Sequence, residues 1–443
     1  MKHVITLLFL AACPLLQAAQ PNILVLFSDD HGYADLGCQG STEVKTPNID
    51  SIAANGVRCT AGYVTAPQCS PSRAGLISGR YQQRFGHEDN NRKPVMLMNG
   101  GKTLGDQFKA AGYATAQFGK WHLGYDDKSL APKSFIEKGD WMSPTQHGFD
   151  ESFGFSDFHK LVENLKGKKR QKVVEDDRVF ASKTADFIQR HKDQPWCVYL
   201  AFHAPHGPHT KLEEYTSKFT NAPEDRQGFF AAMTLLDDAV GIVLAKLREL
   251  KAEENTLIFF ISDNGGTRYV GRSAKWQQGS ENKPLLGGKG ASLEGGIREP
   301  FFVQWKGHLP AGKNYDRPVS SLDVIPTALD AAGAKPLPNY ELDGVNLLPF
   351  LKGEKTTDPH EALFWRWRSE WAIRVGDWKL VKSDDKRRGH KDWALIDLKS
   401  DIEERTDLTA KHPETAKDLR ERWEKWNATH PPLGPNFKDD EVE

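Results

Sequence analysis

Asn22-Ile23-Leu24-Val25-Leu26-Phe27-Ser28 is an apolar run without a single interior polar residue. A strand with one face in water alternates apolar and polar side chains; one that does not alternate is covered on both faces, as in the middle of a sheet clothed by helices. Three more runs look alike: Tyr113 to Phe118, Trp196 to Phe202 and Thr256 to Ser262, each ending in a polar or glycine-containing turn. Helical patterns lie between them. In the clearest, Gly228 to Leu250, the residues Phe229, Met233, Leu236, Val240, Val243, Leu247 and Leu250 recur at alternating steps of four and three. This alternation predicts an α/β sandwich. The 443 residues can hold one large domain plus a smaller one.

In such sheets ligands gather beyond the carboxyl ends of the strands, and each run is followed there by reactive residues. Asp29-Asp30 follows the first, Lys120-Trp121-His122 the second, His203-Ala204-Pro205-His206 the third and Asp263-Asn264-Gly265-Gly266 the fourth. Asp29, Asp30, Asp263 and Asn264 form an all-oxygen set that suits a hard cation, Ca2+ or Mg2+, rather than zinc. Neighbours on a strand point to opposite faces, so Asp29 and Asp30 can share a metal only where the strand has ended. Each acidic motif taken alone also has turn composition. Lys120, His122, His206, Lys289 and Arg73 add cations and proton carriers.

Cys69-Ser70-Pro71-Ser72-Arg73 continues as Ala74-Gly75-Leu76-Ile77-Ser78-Gly79-Arg80. Pro71 and Ser72 suit a first helical turn, and Leu76 and Ile77 give the helix an apolar side. Cys69 then stands at the helix N-terminus, where free N–H groups and the dipole favour an anionic ester. Without its company, the same segment reads equally as a buried cysteine beside an ordinary helix start.

The segment resembles the sulfatase signature, whose cysteine a maturation enzyme oxidises to formylglycine. Gly119-Lys120-Trp121-His122-Leu123-Gly124, His203-Ala204-Pro205-His206, Asp263-Asn264-Gly265, Gly288-Lys289-Gly290 and Glu294-Gly295-Gly296-Ile297-Arg298 are similar to further blocks of that family, in the family's order. The resemblance covers most of the chain and departs at Ser78, where threonine is usual. It implies an alkaline-phosphatase-like α/β core with a large mixed sheet between helices, and a smaller C-terminal domain. It also implies that Asp29, Asp30, Asp263, Asn264 and modified Cys69 surround one divalent cation, Ca2+ first and Mg2+ second. Arg73, Lys120 and Lys289 would hold sulfate or the formylglycine hydrate, His206 with Lys289 would assist departure of the alcohol, and His122 would act as a base in the later step. Asp263 would take the proton of the attacking hydroxyl. The expected activity is sulfate ester hydrolysis on a sulfated carbohydrate, with a galactose or N-acetylgalactosamine unit as first guess. A formylglycine-dependent phosphonate or phosphate ester hydrolase is the second reading. A non-catalytic glycan-binding relative is the third, against which intact Cys69, His122, His206 and Lys289 argue.

Lys and Arg number 59 against 60 Asp and Glu, so no global charge draws nucleic acid, and an acidic substrate must meet locally placed cations. The basic stretch Lys166 to Lys172 could grip a polyanionic substrate but reads first as a solvated loop. Met1-Lys2-His3, apolar Val4 to Leu16 and then Gln17-Ala18-Ala19 read as a signal peptide over 1–19, for export to the periplasm or beyond. Leu10-Ala11-Ala12-Cys13 offers lipoprotein anchoring as the alternative, ranked second because Pro14-Leu15-Leu16 prolongs the apolar segment. No transmembrane segment is expected. With Cys13 removed and Cys69 assigned, Cys38, Cys59 and Cys197 allow at most one disulfide. The catalytic domain is placed at 20–352 and a C-terminal α+β subdomain at 353–443. There, short alternating runs from Ala362 to Leu398 predict a small antiparallel sheet, and Pro413 to Trp426 a closing helix. Substrate-reading residues are expected in loops within 125–148, 156–177 and 266–286, and near Arg366, Arg368 and His390.

Overall fold

The structure, a computed structural model, describes residues 20–90, 95–124, 142–154, 176–207, 209, 212–267, 279–384 and 392–433. The leader with Cys13, the basic stretch 166–172, His390 and most of the three expected substrate loops lie outside them.

The apolar run becomes β1 (Asn22–Ser28). It is followed by β2 (Val57–Cys59), the two-residue β3 (Gly62–Tyr63), β4 (Ala114–Gly119), β5 (Glu151–Phe153), β6 (Trp196–Ala201), β7 (Thr256–Ser262), β8 (Phe301–Gln304), β9 (Lys313–Tyr315) and β10 (Val319–Ser320). Eight of these form one sheet in the order β5-β4-β6-β1-β7-β8-β2-β9. Its first five strands run parallel, whereas β8 is antiparallel to both neighbours, so the sheet is mixed as expected.

Ile23, Val25 and Phe27 of β1 enter one core layer with Ala74, Leu76, Ile77, Leu104, Phe108, Ile325 and Leu329. Leu24 and Leu26 enter the opposite layer with Ile49, Ile52, Phe180, Ile188, Met233, Leu236 and Val243. Helices therefore cover both faces, which is why β1 shows no alternation. The long helix is Glu224–Glu249. It begins before Gly228 because its first turn, after Pro223, is polar and carries no apolar period. By length and composition its Arg226–Glu249 portion could cross a membrane. Phe229, Met233, Leu236, Val240, Val243 and Leu247 are all buried in the core layer, so the helix is accounted for as core.

Register brings the strand ends level. Phe27 pairs with Ala201, Gly119 with Ala201, and Ser28 with Ser262. The chain thus leaves β1, β4, β6 and β7 along one edge.

In the C-terminal part, β11 (Leu363–Trp367), β12 (Glu370–Val375), β13 (Trp378–Lys382) and β14 (Ala394–Asp397) form an antiparallel sheet in that order. One face meets Tyr63, Leu293 and Ile297 of the core through Leu363, Trp365, Val381 and Ile396. The other receives the helix Pro413–Ala428 through Ala416, Leu419 and Trp423. Within the first interface Lys379 is fully buried, its Nζ 2.8 Å from Glu294 Oε1 and 2.9 Å from Glu404 Oε1. Leu347, Leu348 and Leu351, at the expected domain boundary, belong to the large core. Cys38, Cys59, Cys69 and Cys197 are free thiols.

Candidate active site

Cys69 opens the helix Cys69–Ser78, with Gln68 in extended conformation before it and Gly79 closing it at φ 64°. Only 1% of Cys69 is exposed. Its Sγ lies 3.4 Å from Asp29 Oδ1 and 3.8 Å from Asp30 Oδ1. The two aspartates follow the last residue of β1, and Asp30 takes a left-handed backbone with φ 60°. That break in the extended geometry lets consecutive carboxylates face one sulfur.

Each carboxylate is met by fixed cations. Lys120 Nζ is 2.5 Å from Asp29 Oδ2, and Arg73 Nη2 is 3.5 Å from Asp29 Oδ1. Asp30 Oδ1 is 2.8 Å from Lys289 Nζ and accepts from Asn264 Nδ2 at 2.7 Å. Asp30 Oδ2 accepts from Thr267 Oγ1 at 3.0 Å and lies 3.6 Å from His206 Nε2. Asp263 Oδ2 accepts from Arg73 Nε and Nη2 at 3.0 and 2.6 Å, and its Oδ1 takes the N–H of Asp30 at 3.1 Å.

Burial alone would raise the Asp29 carboxyl, but Lys120, His206, Arg73 and Lys289 together hold it well below the usual range. Asp30 is lowered in the same way, chiefly by Lys289 against burial. Burial and then Asp29 push Asp263 up to about 7, with Arg73 and Lys120 opposing. Burial drives His206 down to about 3. It also drives His122 well below its ordinary value, with Lys120 and Arg73 adding to the effect. The Cys69 thiol is pushed up by burial.

The donor set fits a hard cation. Ligand atoms of Asp29, Asp30, Cys69 and His206 lie within 4.8 Å of one another, and Asn264 Oδ1 is buried and accepts no hydrogen bond among the described residues. A carbonyl oxygen left without a donor among carboxylates is costly unless a cation meets it. His206 thus stands closer to this cluster than an all-oxygen set anticipates, while Asp263 is largely engaged by Arg73.

A thiol at a helix N-terminus between acidic groups and lysines defines a site for attack on an anionic ester. Residues 21–334 match the Sulfatase family, and residues 288–429 match the family described as N-sulphoglucosamine sulphohydrolase, C-terminal. The chain belongs to the sulfatase family and is a sulfuric ester hydrolase. It is 32% identical over 421 residues to N-acetylgalactosamine-6-sulfatase of Sus scrofa, covering 83% of this chain and 76% of that protein. It is also 32% identical over 417 residues to human arylsulfatase A, covering 84% and 77%. A crystal structure of Ps i-CgsB in complex with k-i-k-neocarrahexaose superposes with a TM-score of 0.78 at 29% identity, covering 94% of each chain.

The ten residues assigned to the catalytic and metal site from sequence, Asp29, Asp30, Cys69, Arg73, Lys120, His122, His206, Asp263, Asn264 and Lys289, fall in one region, where His122, His206 and Lys289 are half-buried and the others buried. His122 is the least directly connected: its φ is 56° and its buried Nδ1 has no partner among the described residues. Several supports had no sequence signal of their own. Asp177 accepts the N–H groups of His203 and Ala204 at 2.9 and 2.7 Å, bracing the turn that carries His206. Ser280 Oγ donates to the Asp30 carbonyl at 3.1 Å. Asn282 accepts from Gly266 N at 3.0 Å and donates to its carbonyl at 2.9 Å. Thr267 was the one within reach, three residues after Asn264. Glu299 is buried with neither oxygen hydrogen-bonded among the described residues; burial, then Asp263 and Asp30, push it well up.

Proposed function

We propose that this chain hydrolyses O-sulfate groups of a sulfated carbohydrate, using formylglycine at position 69 and one divalent cation, with Ca2+ favoured over Mg2+. The observation that carries the reading is the placement of Cys69 Sγ 3.4 Å from Asp29, where Lys120 and Lys289 each approach a carboxylate within 3 Å. Asp29, Asp30, Asp263, Asn264 and residue 69 would hold the cation, which would polarise a sulfate oxygen and lower the charge developing there. A formylglycine hydrate supplies one hydroxyl for attack on sulfur and a second whose later proton loss releases sulfate.

The rest is done by this chain's side chains. Arg73, Lys120 and Lys289 present preorganised positive charge to the sulfate oxygens. His206, with Lys289, donates a proton to the departing alcohol oxygen, the anionic ester raising the imidazole from the low value that burial gives it, and His122 removes one in the later step. The carbohydrate assignment draws support from relatives named for N-acetylgalactosamine 6-sulfate and from the neighbour solved with a neocarrahexaose. Export after removal of residues 1–19 belongs to the same reading, as do maturation by a formylglycine-generating enzyme and a C-terminal subdomain from 353.

Protein made alongside the maturation enzyme is expected to lose the Cys69 thiol mass in the peptide spanning that residue. It should also release sulfate from sulfated oligosaccharides, and chelation should abolish turnover until Ca2+ or Mg2+ is restored. Full activity with unmodified Cys69, two zinc ions per chain, or faster turnover of an aryl phosphodiester than of an aryl sulfate would overturn it.

A further inference from the structure

On the rim of the site, one tight turn carries a residue that its backbone disfavours. Trp367 pairs with Glu370 across β11 and β12, so Arg368 and Ser369 alone make the hairpin loop. Arg368 has φ 50°, and Ser369 is not among the positive-φ residues. This is the pattern of a II′ turn, whose first central position ordinarily belongs to glycine. A side chain held in the left-handed region persists where its surroundings over-determine it, often at binding sites.

The surroundings here are the two loops that carry the chemistry. Glu370 Oε2 accepts the N–H of Ser292 at 2.8 Å, three residues beyond Lys289. The Trp367 ring lies 3.8 Å from where a Cβ on Gly290 would stand, and its buried Nε1–H has no acceptor among the described residues. Arg368 stacks over that ring with its guanidinium carbon 4.9 Å from the centroid. Its Nη2 reaches Asp89 Oδ1 at 3.4 Å. The next residue, Asn90, accepts the N–H of Ser70 at 3.0 Å and donates to Gln68 Oε1 at 2.6 Å, beside Cys69. Arg368 therefore spans the gap between the Cys69 helix and the Lys289 loop.

Its charge is also available. A 3.4 Å contact is long for a charge-assisted hydrogen bond, and Asp89 Oδ1 already accepts the N–H of Asn90 at 2.8 Å. Neighbouring Arg366 is the opposite case: its side chain is 2% exposed and bound to Glu88, against 14% exposure for Arg368. The site is not sealed from solvent, since the Lys289 and His206 side chains are 14% and 21% exposed.

We infer that Trp367 and Arg368 form the subsite for the leaving sugar. Arg368 recognises a second anionic group on the substrate, a sulfate ester or a carboxylate, in addition to the sulfate that is removed. The inference rests on the sulfated-carbohydrate reading above. An arginine kept where glycine would fit better follows from it, since the fork geometry suits oxyanions.

The test compares calorimetric binding to Cys69→Ala protein, which cannot turn over, for three sugars: a monosulfated hexosamine, its disulfated form, and the monosulfated sugar joined to a uronate. At least one dianionic probe is expected to bind about tenfold tighter than the monosulfated one, the low end for a hydrogen bond to a charged group. Which probe gains identifies the anion. Arg368→Gly should abolish that ratio without lowering the thermal midpoint, because glycine suits the turn. Arg368→Lys, keeping the charge without the fork, should retain part of it. A ratio untouched by Arg368→Gly, or equal weakening for all probes with a lower midpoint, overturns the inference and leaves Arg368 as a structural ion pair. Turnover of nitrophenyl sulfate by the matured protein is the separate arm. Its absence, with binding selectivity intact, would sink the hydrolytic reading and leave standing the recognition of a second anionic group by Arg368.

Discussion

Replacing Lys379 by methionine tests whether buried charge, and not apolar contact alone, fastens the C-terminal sheet to the core. Methionine keeps an unbranched apolar stem of similar length, so the change isolates the ammonium. Glu294 retains Tyr63 Oη at 2.6 Å and Arg298 Nη1 at 3.2 Å. Glu404 is left with the N–H of Glu294 on Oε2, at 2.6 Å, while burial already pushes its carboxyl up and Lys379 is the first of the groups that oppose this. Removing one partner from a buried pair costs about 3–5 kcal/mol. Glu404 can partly escape by taking up a proton, so the lower end is expected, about 3 kcal/mol or roughly a hundredfold in the folding equilibrium. Urea titration followed by tryptophan fluorescence should show a clearly lower midpoint. Lys379→Met with Glu404→Gln should recover much of the loss, because the amide needs no counter-charge. The acid limb gives a second readout. Burial opposes ionisation of Glu294, but Lys379 and Arg298 hold it at about 2. Its contribution is therefore complete above the ordinary carboxylate range and lost as pH falls through about 2. In Lys379→Met the depression shrinks, and stability should slope less across that window. An unchanged urea midpoint, or a double variant weaker than the single one, would refute the reasoning.

His206→Ala should slow hydrolysis of a sugar sulfate by about 10²- to 10⁴-fold and that of nitrophenyl sulfate far less, because only a basic leaving oxygen needs a proton. Equal losses, in protein retaining the aldehyde and metal, would assign His206 to sulfate positioning. Asp177→Ala removes the acceptor of two backbone N–H groups from a side chain in a residue that is 2% exposed. It should cost about 1–3 kcal/mol and reduce the leaving-group dependence of the rate along with the thermal midpoint. A normal midpoint would show that the turn carrying His206 is held by other contacts.

What sequence determined without help was everything set by local pattern. The unbroken run from Asn22 to Ser28, three similar runs and the 3.6-residue period after Gly228 required a sheet covered on both faces. Strand ends are where such a sheet presents polar groups, so Asp29, Lys120, His206 and Asp263 could be placed at one edge before any contact was known. Pro71 after Cys69 marked the helix start for the same local reason. Three-dimensional packing decided the rest, because partners distant in sequence carry no mark of each other. Nothing in the chain announces that Asp177 braces His203, or that Asp263 is engaged by Arg73 while His206 approaches Asp30. Nor does local pattern tell that Lys379 is buried between Glu294 and Glu404, since a lysine in an alternating strand reads as solvent-facing until a second surface covers it. The positive φ at Asp30, His122 and Arg368 is of the same kind: a backbone state uncommon outside glycine that no local pattern in the sequence announces.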